Sequence, residues 1–214
     1  MSSRSDDLYL VLSEADGATS EQKMQEAARI FAKDCGIPLS NDDPKTGTLR
    51  VARTITGKPF FPDCAQIKFS VSHSGTYIIC AVSGSEVGVD LQQHTRMKGE
   101  TEEEALCRFR KIAKRFFHEE ESLFVENGNC DDFFKIWTAK ESYVKFTGQG
   151  MDSHYGDFSV MPENRTLLSS RFVPDRPVQW DAMGLCFTQI LIEPDYTLCI
   201  CTRGKKNIVF LHNI

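Results

Sequence analysis

Apolar residues recur along the chain with two periods, and each period marks a set of elements. Residues 8–12 are a short apolar run of strand length. Thr19 or Ser20 is placed to cap a helix whose stripe is Met24, Ala27, Ala28 and Phe31, and Gly36 is placed to end it. Residues 40–47 read as a loop, 49–55 as a strand, and Gly57-Lys58-Pro59 as a turn. Strands at 67–71 and 77–82 form a hairpin whose polar tip, 72–76, carries His73. Residues 87–91 give a further short strand, with Asp90 set among β-formers.

Helical periods take over in the middle of the chain. Residues 102–117 open on Glu102, Glu103 and Glu104 and close on Arg108, Arg110, Lys111, Lys114 and Arg115, which matches the helix macrodipole. A short helix is expected over 119–124. Around residue 140 the period of 3.6 puts Phe133, Ile136, Trp137, Tyr143 and Val144 on one broad arc. Lys140 falls inside that arc, where an ammonium must snorkel to the edge or meet an anion. Glu141 and Lys145, four apart, stack along the border of the arc. Gly148 and Gly150 end the helix, and strands are expected near 171–173, 185–192, 196–202 and 207–211. The order of elements predicts an α+β fold, with two lobes of similar build but no sequence repeat behind them.

Composition narrows the function classes. With 214 residues, 41% hydrophobic and 26% charged, the chain has the balance of a soluble globular protein. The net charge of −5 argues against a general nucleic-acid binder, so an anionic ligand would need a few placed cations. No apolar run is long enough to span a membrane, and the first residues lack the apolar core of a secretory signal. The eight cysteines contain no Cys-x-x-Cys pair, which speaks for reduced thiols in a cytoplasmic protein and against a structural zinc site. Cys199 and Cys201 share a strand face as small apolar fillers.

Four motifs stand in order: Gly57-Lys58-Pro59, Ser72-His73-Ser74, Gly88-Val89-Asp90-Leu91-Gln92, and Trp137-Thr138-Ala139-Lys140-Glu141-Ser142-Tyr143-Val144-Lys145. Alone, the first three read more readily as a surface turn, a solvated histidine and a strand-end turn former, and the last reads equally as a surface ion pair beside a snorkelling lysine. Together they resemble the 4′-phosphopantetheinyl transferases of the larger, Sfp-like type. The stretch Lys114-Arg115-Phe116-Phe117 with Glu121 is similar to a further family segment. The resemblance runs over about residues 47–160, is looser in the β-rich tail and is poor before residue 40. Gln92 departs from the pattern, since many members carry a carboxylate there and an amide is a poorer ligand for Mg²⁺. The family's cations for the coenzyme A 3′-phosphate lie in the poorly matching part and do not carry over; Arg50 and Arg53 are the substitutes on offer, with a solvated strand face as their other reading.

The resemblance implies a fold of two similar α/β lobes related by a pseudo-twofold, each a small, mainly antiparallel sheet packed with helices. The expected lobes are residues 1–85 and 86–214. It implies transfer of phosphopantetheine from coenzyme A to a serine of an apo acyl or peptidyl carrier protein, dependent on Mg²⁺ (Mn²⁺ as the alternative) and releasing adenosine 3′,5′-bisphosphate. Asp90, Glu141 and Gln92 would face the metal. Glu141, Lys145 and Glu121 would be catalytic, with Glu141 and Glu121 as rival bases. Lys58, Pro59, Ser72, His73, Lys140 and Lys145 would hold coenzyme A. Carrier proteins are acidic, so the basic run 108–115, with apolar residues between Phe146 and Tyr155, would dock one. A monomer, no nucleic acid and no membrane complete the expectation. A metal-dependent nuclease and a non-catalytic coenzyme A-binding scaffold are the alternatives.

Overall fold

The computed structural model describes residues 6–14, 20–39, 48–150, 154–169 and 176–211. The elements run β1 (Asp7–Glu14), α1 (Ser20–Cys35), β2 (Ala52–Arg53), β3 (Pro59–Phe60), β4 (Lys68–Ser74), β5 (Tyr77–Ser83) and β6 (Val87–Gln93). They continue with α2 (Glu102–Phe116), α3 (Glu119–Glu126), α4 (Cys130–Thr147), a 3₁₀ turn (Tyr155–Asp157) and α5 (Thr166–Ser169). The last four are β7 (Val178–Ala182), β8 (Leu185–Glu193), β9 (Tyr196–Thr202) and β10 (Asn207–Leu211). This is a mixed α+β fold built on two four-stranded sheets, ordered β10-β1-β5-β4 and β6-β9-β8-β7.

Alternation along the strands decides the layering. On β1, Tyr9 and Val11 face α1 and meet Met24, Ala27, Ala28 and Phe31. Leu8 and Leu10 face the other way and, with Ile79 and Ala81, pack on Val87, Val89, Leu91, Leu198 and Ile200 of the second sheet. The second sheet turns Phe187, Cys199 and Cys201 outward against Phe133, Ile136 and Ala139 of α4 and Phe109 of α2. The layers are therefore helix, sheet, sheet, helices. Fully burying each large apolar side chain contributes about 1.5–3 kcal/mol, so the shared inner layer fixes how the two sheets meet.

At one side the sheets are joined edge to edge by side chains. Ser70, Ser72 and Ser74 alternate along β4, so all three hydroxyls point the same way. Ser70 Oγ accepts the Val89 N–H at 3.0 Å, Ser74 Oγ accepts the Gln93 N–H at 2.9 Å, and Ser72 Oγ donates to Asp90 Oδ1 at 2.9 Å. Ser70 and Ser74 thus satisfy N–H donors that β6 would otherwise leave bare, and Ser72 supplies a donor to the Asp90 carboxylate.

Several elements differ from their sequence reading. The strand expected over 49–55 is confined to Ala52–Arg53, because Thr54 to Lys58 close a turn with Thr54 N–H on Lys58 O and Gly57 at φ +89°. His73 lies within β4, since the hairpin turn is only Gly75-Thr76. The strand expected near 171–173 lies outside the described residues. β7 was not expected, because its weak apolar pattern hides it in the sequence; Met183 and Gly184, both at positive φ, make its turn into β8. β10 does not join the neighbouring sheet but runs parallel to β1 at the edge of the first one.

Candidate active site

Gly88 determines how the site assembles. A Cβ built there would sit 2.9 Å from Phe146 Cα and closer still to the Ser142 carbonyl oxygen, so α4 lies directly on the backbone of β6. That contact brings Glu141 and Lys145, the residues preceding Ser142 and Phe146, over Asp90. Lys145 Nζ donates to Asp90 Oδ1 and to Ser72 Oγ, both at 2.8 Å. Glu141 Oε1 accepts the Tyr155 hydroxyl at 2.7 Å.

The electrostatics of this group are unbalanced. Burial pushes the Asp90 carboxyl above the usual carboxylate range, and Lys145 and Ser72 pull against it. Burial also raises Glu141, the nearby Asp90 charge adds to the rise, and Tyr155 and Lys145 oppose it. Two carboxylates therefore share one ammonium. Asp90 Oδ2 is buried and has no hydrogen-bond partner. Among the described residues no three His, Cys, Asp or Glu side chains converge. A pair of carboxylates with one orphaned oxygen fits a hard divalent cation that completes its shell with water and phosphate oxygens.

Glu141 and Lys145 of this group line a cleft of about 510 Å³, together with Arg53, Lys58, Pro59 and His73 among others. One side of the cleft is apolar, with Met24, Val51, Phe69 and Val144. Arg50 is occupied elsewhere, in a two-pronged pair with Asp63 at 2.8 and 3.0 Å. Lys58 contributes its stem to the cleft, while its ammonium binds Glu86 Oε2 and Phe146 O, both at 2.8 Å. A cation on the last carbonyls of α4 suits the negative end of that helix. Thr56 Oγ1 donates to Gly148 O beside it, so the Gly-Lys-Pro turn is docked on the end of α4.

Lys140 and Glu121 are placed differently from the phosphate contact and base role expected of them. Both are 0% exposed, with Lys140 Nζ 2.6 Å from Glu121 Oε2, and neither lines the cleft. The arc of α4 faces the core, so the buried ammonium meets an anion rather than reaching solvent. Lys140 also donates to Phe158 O at 2.7 Å and lies 4.1 Å above the Phe158 ring. Glu121 accepts the Val160 and His118 N–H groups at 2.8 and 3.0 Å. Burial raises Glu121 and lowers Lys140, each restrained by the other's charge. Gln92 follows Asp90 on the same face of β6, and its Nε2 donates to Gln93 O at 3.1 Å. Phe146, expected at an exposed dock, is buried in the core. Tyr155 and Ser70 were missed by sequence reasoning. Tyr155 follows a glycine-rich segment with no periodicity to flag it, whereas the alternating serines of β4 were legible.

Comparison with known proteins meets this geometry. The family model described as the 4′-phosphopantetheinyl transferase superfamily matches residues 86–201, more than half of the chain and the part holding Asp90, Glu141 and Lys145. The 4′-phosphopantetheinyl transferase gsp of Aneurinibacillus migulanus is 36% identical over 99 residues, 44% of this chain and 36% of that protein. The 4′-phosphopantetheinyl transferase Sfp of Bacillus subtilis (strain 168) is 28% identical over 150 residues, 68% of this chain and 59% of that protein. The L-aminoadipate-semialdehyde dehydrogenase-phosphopantetheinyl transferase of Xenopus laevis is 27% identical over 166 residues, 69% of this chain and 52% of that protein. The matches thus span between about a third and three fifths of these relatives' own lengths. With Glu141, Lys145 and His73 lining one cleft, Asp90 bonded to Lys145 beside it, and more than half of the chain matched by the family model, the chain belongs to the 4′-phosphopantetheinyl transferase superfamily.

Proposed function

We propose that the protein transfers the 4′-phosphopantetheine group of coenzyme A to a serine hydroxyl of an apo carrier protein and releases adenosine 3′,5′-bisphosphate. The observation that carries the reading is the convergence of Asp90, Glu141 and Ser72 on Lys145, with Glu141 and Lys145 lining a cleft of a size for a nucleotide diphosphate. Asp90 and Glu141 would hold Mg²⁺ or Mn²⁺, which when bound supplies charge neutralisation on the diphosphate. Lys145, 29% exposed, turns its ammonium to the same phosphates. The serine oxygen forms a bond to the phosphorus of the pantetheine arm as the bond to the leaving bisphosphate breaks. Glu141 takes the serine proton, directly or through water, its affinity for protons already raised by burial.

The rest of the cleft supports the same reading. His73 lines it from β4 and faces the phosphates; Lys58 and Pro59 border the adenosine. Arg53 lies on the cleft while Arg50 is spent on Asp63, which makes Arg53 the cation for the 3′-phosphate. The two lobes of the larger family type, expected over residues 1–85 and 86–214, would then be centred on the two four-stranded sheets. With β10 returning to the first sheet, the boundary at residue 86 does not hold for the last strand. The lobes would be related by a pseudo-twofold and act as a cytoplasmic monomer. No helix among the described residues is long and apolar enough to cross a membrane. On α2, Arg108 is held by Glu100, and Lys111, Lys114 and Arg115 stay exposed near Phe116. That face would meet the acidic carrier.

The test mixes protein, coenzyme A and Mg²⁺ with several apo carriers and reads intact mass. A gain of one phosphopantetheine, lost with a chelator and in folded Asp90→Ala and Glu141→Ala variants, is the expected result. Tight coenzyme A binding without modification of any carrier would replace the enzyme by the scaffold reading.

A further inference from the structure

We propose that Tyr155 is a positioning residue of this site: its hydroxyl holds Glu141 Oε1, so that the carboxylate offers one oxygen, in one fixed orientation, to the divalent cation. The inference rests on the transferase reading for its context, but its geometry stands by itself. The Tyr155 O–H donates to Glu141 Oε1 at 2.7 Å, a charge-assisted bond between residues 14 apart in sequence. Glu141 is a long side chain at the border of a helix, and among the described residues Tyr155, Lys145 and Asp90 are the groups that act on its carboxylate. Without the tyrosine it would keep several rotamers, and ordering it would oppose every binding event.

The structure holds Tyr155 firmly enough for that work. Its ring stacks on Trp137, with centroids 6.1 Å apart and planes at 15°, and it meets Phe158 at 6.1 Å. The segment that follows is pinned at three points. Lys140 binds Phe158 O, Glu121 binds Val160 N–H, and Trp180 Nε1 donates to Val160 O at 2.8 Å. The buried Lys140–Glu121 pair therefore acts at a distance. It fixes the 158–160 backbone, that backbone seats Tyr155, and Tyr155 aims Glu141, the residue next to Lys140.

Tyr155→Phe keeps the ring and its stacking and removes only the hydroxyl, so the fold is expected to survive, which a thermal melt checks. Mn²⁺ binding in the presence of coenzyme A, followed by electron paramagnetic resonance, is the deciding readout. Loss of a group that orients a metal-binding side chain weakens metal binding roughly 10- to 100-fold, and that fall is expected in Tyr155→Phe. With an apo carrier, kcat at fixed subsaturating Mn²⁺ should fall by a similar factor, while KM for coenzyme A stays within about twofold because the phosphate and adenosine contacts are untouched. Wild-type manganese affinity in Tyr155→Phe overturns the inference, whatever the turnover. A wild-type protein that binds no Mn²⁺ also overturns it. A wild-type protein that binds Mn²⁺ yet modifies no carrier overturns the transferase reading instead, and the manganese titration still decides Tyr155.

Discussion

Replacing Gly88 by alanine tests whether the direct seating of α4 on β6 is what aligns the site. The new methyl carbon would stand 2.9 Å from Phe146 Cα and nearer to Ser142 O and Phe146 N, all of them backbone atoms that cannot rotate away. Carbon atoms settle at about 3.5–4.0 Å, so the helix must retreat by roughly 1 Å. Lys145 and Glu141 travel with it. The Lys145–Asp90 bond, 2.8 Å long, would stretch beyond hydrogen-bonding range. Overpacking of this kind costs about 1–3 kcal/mol, or a fall in Tm of roughly 2–12 °C for a chain of this size. A displacement of 1 Å at reacting groups costs on the order of 100-fold in rate. The assay is carrier modification by intact mass, run beside a thermal melt. Activity within twofold of wild type together with an unchanged melt would refute the reasoning, because the chain would have absorbed a methyl group where the packing leaves no space.

Three further outcomes follow from the same geometry. Ser70→Ala leaves the buried Val89 N–H without an acceptor and should cost about 1–3 kcal/mol, whereas Ser74→Ala, whose partner Gln93 is half-buried, should cost less; urea midpoints read both. Lys140→Met leaves Glu121 charged and alone in the core, with an expected loss of about 3–5 kcal/mol at pH 7.5. That deficit should shrink at pH 5 as Glu121, already raised by burial, takes a proton; a deficit independent of pH would count against the buried charge. Glu141, whose folded value lies above its ordinary 4.5, contributes stability that is complete below that value and is lost as pH rises through the folded one. With chelator present, Glu141→Gln should therefore melt higher relative to wild type at pH 7.5 than at pH 5, and an unchanged difference between the two pH values would show that burial is not the cause.

Short apolar runs of strand length between turn residues were readable from sequence, as β9 and β10 show at Tyr196–Thr202 and Asn207–Leu211. Their partners were not, because pairing of β10 with β1 depends on contacts some 200 residues apart in the chain and leaves no local trace. The position of Lys140 inside an apolar arc was legible, and so was its need for an anion. Which anion was not, since Glu121 comes from another helix and shows its role only once α3 and α4 are packed. Asp90, Glu141 and Lys145 could be picked out by motif, but the reason for Gly88 lies in the three-dimensional contact with Ser142 and Phe146. Lys58 was legible only in part: a Gly-Lys-Pro turn gives no hint that its ammonium ends on the carbonyl of Phe146.

The pairing of β10 with β1 has a consequence for biosynthesis. Asp7 to Val11 leave a ribosome some 200 residues ahead of their partners, Asn207 to Leu211. At about 5–20 residues per second, the early segment waits roughly 10–40 s with one side of its backbone unpaired. During that interval a nascent chain exposes a ready template for intermolecular pairing, so a chaperone at the exit tunnel would influence the yield of this protein more than its equilibrium stability does.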